Sequence, residues 1–139
     1  MYFATANNKA MAKKSAINWF EIPVNDFDRA KKFYETLFDF TMKEQIWGNT
    51  RIGYFEWDME EDGRGGSIVY DPEYYTPSVH GPLIYLNCEP RIQKVIDRVI
   101  PAGGKLLQNK TIVAATFDLG YWALILDTEG NRIALHALE

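Results

Sequence analysis

One feature narrows the possible folds of this chain more than any other: its series of predicted elements runs through twice. The stretch "AINWFEIPV" (16–24) alternates like a strand, with Trp19 and Glu21 on one face and Phe20, Ile22 and Val24 on the other. "NDFDRAKKFYETLFDF" follows, with Ala30, Phe33, Tyr34, Leu37 and Phe38 at helical spacing and Asn25 or Asp26 as cap. "FTMKEQIW" and "TRIGYFEWD", parted by "GN", read as a hairpin. "MEEDGRGG" reads as a polar, glycine-rich turn before a short strand, "SIVYD". After the connection "PEYYTPSVHGP" the pattern restarts with the strand "LIYLNC". A helix in "EPRIQKVIDRVIPAGG" is expected to carry Ile92, Val95, Ile96, Val99 and Ile100 on one face, with Pro90 in its first turn. "KLLQNKTIVAAT", "GYWALILD" and "NRIALHAL" supply three more strands, the last two joined by the tight turn "DTEGN". Strand, helix and three strands therefore occur twice. A unit of that size cannot bury its own sheet face, so two of them are expected to pack as one domain.

The totals set outer bounds. At 139 residues one domain is expected over 15–139, with units at about 16–70 and 82–137. Lys and Arg number 15 against 19 Asp and Glu, so no basic excess offers itself to nucleic acid. No run reaches the roughly 20 apolar residues of a membrane span. Cys88 stands alone, which excludes an internal disulfide and suits a cytoplasmic location. Residues 1–14 read as a loose polar arm, since Lys13 and Lys14 follow the weakly apolar stretch rather than precede it.

Two motifs carry a resemblance. Val24, Asp26, Arg29, Ala30, Phe33 and Tyr34 match a V-x-D-x-x-R-A-x-x-F-Y pattern, and Asp127, Gly130, Asn131 and Ile133 match D-P-x-G-N-x-I with Thr128 in place of proline. Over about residues 16–137 the chain resembles the vicinal oxygen chelate superfamily of glyoxalase I, bleomycin-resistance proteins and extradiol dioxygenases. It is similar above all to small bacterial members reading FE-x-P-V in the first strand and GNRI-x-L-H in the last. The resemblance implies an α+β fold in which two βαβββ modules form a cupped, half-open mixed sheet barrel, with helices on the convex side. It also implies a pocket on the concave side and a homodimer built by joining half-sheet edges.

Catalytic members of that superfamily hold a divalent metal in the cup with histidine and glutamate. The resemblance puts those positions at Trp19, Leu83 and Ala134, none of which carries a donor for such a cation. No cofactor is therefore expected, and a divalent metal is left only to an altered set of Glu21, His136 and His80. If Trp19 faces the cup, period two turns Glu21 the same way, and likewise Leu83, Tyr85 and Asn87, then Arg132, Ala134 and His136. Ligand-binding candidates are thus Trp19, Leu83, Tyr85, Asn87 and Arg132, and catalytic candidates are Glu21 and His136.

Each has an ordinary alternative. Glu21 either pairs internally with Arg132 or His136, serves a ligand or acid–base step, or faces solvent. His136 makes a structural hydrogen bond or faces the pocket. Trp19 and Tyr85 are core or pocket wall, Arg132 reaches the pocket or the rim, and His80 lies in a solvent loop. Glu44, Glu56 and the acids of "MEED" read as surface charge. The expectation is a protein that binds a small, partly aromatic molecule without metal. The alternatives are a lyase-, isomerase- or dioxygenase-type enzyme using Glu21 and His136, or a partner domain with a vestigial cup.

Overall fold

The computed structural model describes residues 13–116 and 118–139. Most of the expected N-terminal arm, residues 1–12, lies outside them. The first unit contains β1 (Trp19–Pro23), α1 (Phe27–Phe38), β2 (Lys43–Trp47), β3 (Thr50–Tyr54) and β4 (Gly65–Tyr70). The second contains β5 (Ile84–Asn87), α2 (Ile92–Val99), β6 (Lys105–Ile112), β7 (Tyr121–Leu126) and β8 (Arg132–Ala137). Each unit makes a four-stranded mixed sheet, ordered β1-β4-β3-β2 and β5-β8-β7-β6. The first strand pairs in parallel with the last, and the others pair antiparallel. The fold is α+β, with two unclosed sheets.

Alternation along the strands sets the two faces. Ile22, Val24, Leu86, Cys88, Ile133 and Leu135 are buried beneath the helices, while Trp19, Glu21, Tyr85, Asn87 and Arg132 on the other parity are exposed. Asp26 caps α1, its carboxylate accepting the Arg29 backbone N–H at 3.1 Å, and Ala30, Phe33, Tyr34 and Leu37 form the buried stripe. One hydrophobic cluster runs from Ile22 and Phe33 through Val95 and Val99 to Ile125 and Leu135, so the two units share a core.

Three local expectations are corrected. Pro90 is not in the first turn of the second helix: Arg91 is the N-cap and the helix opens at Ile92. Ile100 lies past the last turn and is 68% exposed, so it does not join the buried face. The glycine pair of "GRGG" begins β4 rather than closing a turn. A Cβ on Gly65 would meet the Trp57 indole at 2.4 Å, and one on Gly66 would meet the Phe20 ring at 2.4 Å. Two adjacent strand residues without side chains thus let an aromatic ring lie flat on each face of the sheet.

The units are joined by a clasp. Asn131 Nδ2 donates to the Pro23 carbonyl (2.8 Å) and to Asp127 Oδ2 (2.9 Å), and the Tyr34 hydroxyl donates to the same oxygen at 2.7 Å. The Glu129 carboxylate accepts the backbone N–H groups of Asn25 (3.0 Å) and Asp26 (2.7 Å) and both arms of the Arg29 guanidinium (2.8 and 3.1 Å). Burial alone would raise the Glu129 carboxyl. The bonds from Arg29, Asp26, Thr128 and Asn25 outweigh it and hold the group below its ordinary value of 4.5. Burial, followed by the negative charge of Asp127, pushes the Tyr34 hydroxyl well up. Gly130 turns this corner at φ 88°, which a side chain would oppose. Of the residues that carry the resemblance, Asp26, Arg29, Tyr34, Asp127 and Asn131 take part in this clasp, while Val24, Ala30, Phe33 and Ile133 lie in the core.

Candidate functional site: a groove along the seam

The structural repeat gives every feature of one unit a counterpart in the other. The counterpart of the clasp is the place where the β3–β4 connection faces the end of β5 and the start of α2. No clasp forms there among the described residues. A hollow of about 690 Å³ opens instead, within the range of small-molecule sites. Its walls are Ile17, Trp19, Phe20, Phe38, Phe40 and Phe55 from the first unit, and Pro82 to Asn87 with Glu89 from the second. Glu56, Arg64 and Gly65 close one side. Phe55 organises the aromatic wall, with Phe20 at 5.5 Å and Phe40 stacked at 6.1 Å.

Four of the residues chosen from the sequence, Trp19, Leu83, Tyr85 and Asn87, line this groove together. His136 lies in a neighbouring hollow of about 750 Å³ with Trp122, Leu119 and Val113, which shares Tyr85 and Asn87 with the groove. Its Nε2 is 2.7 Å from the Leu119 carbonyl oxygen. A carbonyl can only accept, so Nε2 carries a proton, and Nδ1 is the ring nitrogen left to accept in that tautomer. Glu21 and Arg132 line neither hollow. Glu21 is exposed, and its Oε1 accepts the Tyr75 hydroxyl at 2.7 Å rather than pairing with Arg132 or His136. That hydrogen bond, with burial second, raises the Tyr75 hydroxyl. His80 is exposed in the connection between the units.

The sequence reading missed three features. Glu56, assigned to the surface, is exposed but lines the groove and also a third hollow of about 700 Å³ with Tyr54, Trp57 and Asp58. Trp57 stands 5.1 Å from Trp19 at 85°, and Tyr54 stands 6.0 Å from Trp19 at 65°, forming an aromatic corner. Ser67, 1% exposed and opposite both Glu21 and Tyr54 in the sheet register, has no partner for its Oγ among the described residues. The signal for the first two was the aromatic–acid run "YFEWD"; nothing in the sequence marked Ser67.

Trp19, Leu83 and Ala134 occupy the positions where the resemblance expects metal ligands, and Ala134 is fully buried. Among the described residues no three His, Cys, Asp or Glu side chains converge to hold an ion. The residues present do not fit the superfamily's metal.

Residues 17–52 match the bleomycin resistance protein-like N-terminal family. No curated protein matches this sequence. Among solved structures, glyoxalase I of Zea mays (the V278E mutant) superposes with a TM-score of 0.63 at 16% identity over 87% of this chain. The chain spans only 45% of that enzyme's length. A glyoxalase/bleomycin resistance protein/dioxygenase family enzyme from Burkholderia phytofirmans gives 0.63 at 16% identity, over 88% of this chain and 98% of its own. A genomically encoded fosfomycin resistance protein from Listeria monocytogenes gives 0.59 at 13%, over 91% and 92%. These likenesses show the fold, which is that of the vicinal oxygen chelate superfamily. The match to the bleomycin resistance protein-like N-terminal family is confined to residues 17–52, within the first unit.

Proposed function

We propose that this protein binds a small, partly aromatic organic molecule in the seam groove, without a metal. The observation that carries the reading is the groove itself: an aromatic and aliphatic hollow between the units, with a few polar groups (Glu56, Asn87, Glu89) at its edges. That is the usual form of a small-molecule site. Trp19 and Tyr85 are 37% and 57% exposed, so ring faces are available for stacking. Small aromatic probes should quench the tryptophan emission saturably, and Tyr85→Ala should weaken that binding while leaving the circular dichroism unchanged. Quenching that never saturates, or that Tyr85→Ala leaves intact, refutes the site.

Two assignments accompany this reading. A homodimer is supported by β2, an end strand whose Ile46 and Trp47 are 67% and 62% exposed. A reducing, cytoplasmic setting suits Cys88, whose thiol burial pushes up to about 12. An enzymatic reading rests on one observation, the acceptor Nδ1 of His136, which a general base requires.

A further inference from the structure

We propose that the ligand of the seam groove is an aromatic monocation, with its ring against the Trp19–Tyr85 walls and its ammonium at Glu56. This rests on the binding reading above and adds the charge of the ligand. Three charged residues line the groove: Glu56, Arg64 and Glu89. Arg64 turns its Nη1 to the Asp62 carboxylate (2.8 Å) and the Asp62 carbonyl (2.8 Å), and Lys14 shares that carboxylate at 3.3 Å. Glu89 has one oxygen engaged by the Leu138 backbone N–H at 2.7 Å and no cation beside it among the described residues. Glu56 makes no hydrogen bond or ion pair among the described residues.

The groove thus carries two carboxylates against one guanidinium beside an apolar wall, an acidic excess. A neutral aromatic guest gains nothing from that excess, and an anionic one is disfavoured by it. A cation resolves both problems, and the rings contribute in the same direction, because aromatic faces attract positive charge. Glu56 also borders the hollow of Tyr54 and Trp57, so an ammonium held there has ring faces on both sides of the carboxylate. Partly exposed ion pairing and cation–π attraction together correspond to about a 10-fold preference over a neutral isostere.

The test is calorimetric titration of the full chain with three probes of one shape: 2-naphthylmethylammonium, 2-naphthalenemethanol and 2-naphthoate. The ammonium should bind about 10-fold tighter than the alcohol, with the carboxylate weakest. In Glu56→Gln the ammonium should fall to the affinity of the alcohol, and the alcohol should be unaffected. Equal affinity of ammonium and alcohol for the unaltered protein overturns the proposed charge and leaves the binding reading standing. So does a preference that survives in the Glu56→Gln, Glu89→Gln double variant. Failure of all three probes to bind overturns the binding reading as well.

Discussion

The two junctions between the units are structural counterparts with opposite contents. At one, the turn Asp127–Asn131 meets the end of β1 and the start of α1: the Glu129 carboxylate accepts the Asp26 N–H, the Asn131 amide donates to the Pro23 carbonyl, and Asp127 accepts the Tyr34 hydroxyl. At the other, the longer β3–β4 connection and β5 with Glu89 leave a hollow lined by aromatic rings. The α2 N-terminus draws its partner from the chain's own end instead: the Ile92 N–H donates to the Glu139 carbonyl at 2.9 Å, and Arg91 pairs with the Glu139 carboxylate. A repeated unit can thus close one junction with polar contacts and leave the other open. The difference lies in which connection supplies polar groups at the right reach.

The comparison is broken most forcefully at the closed junction. Asp127 is 5% exposed and accepts from Tyr34, Glu129, and both nitrogens of Asn131. Asp127→Ala should lower unfolding stability by about 3 kcal/mol in urea titrations, since several buried donors lose their acceptor together. Glu129→Gln should cost less, about 1–2 kcal/mol at neutral pH, as a neutral amide replaces a charge-assisted acceptor. The sign with pH follows from the depressed carboxyl. Its contribution is fully present above the ordinary value of 4.5 and is lost as pH falls through the lower folded value. Acid titration of Glu129→Gln should therefore show a shallower loss of stability in that window. At the open junction Glu56→Gln should shift stability by less than about 0.5 kcal/mol, because the side chain is exposed and unpaired among the described residues. A loss there as large as that of Glu129→Gln would mean that both junctions serve cohesion, and the contrast would vanish.

How far the sequence revealed this arrangement depended on the range of the forces involved. The burial of Ile22, Leu86, Ile133 and Leu135 followed from period-two alternation, because side-chain direction in a strand is local. The stripe of α1 and the Asp26 cap followed in the same way. But Phe20, Ile84 and Leu86, expected to turn away from the pocket, also line the groove, and Ala134, expected to face it, is fully buried. Gly65 and Gly66 misled, since glycine pairs usually mark turns, whereas here two rings from elsewhere need the space above and below the strand. Ile100 misled because the helix stops one turn position earlier than its apolar period. The engagement of Glu21 by Tyr75 lay beyond sequence reading, as its partner comes from an irregular connection 54 residues away. Glu56 read as surface charge and is exposed. Only the apposition of the two units gives it walls.

That β1 and β5 are both end strands, with no ladder between the two sheets among the described residues, has a mechanical consequence. Backbone pairing stiffens each half separately, whereas cohesion across the seam falls to side chains: the common core and the Asn131 and Glu129 contacts.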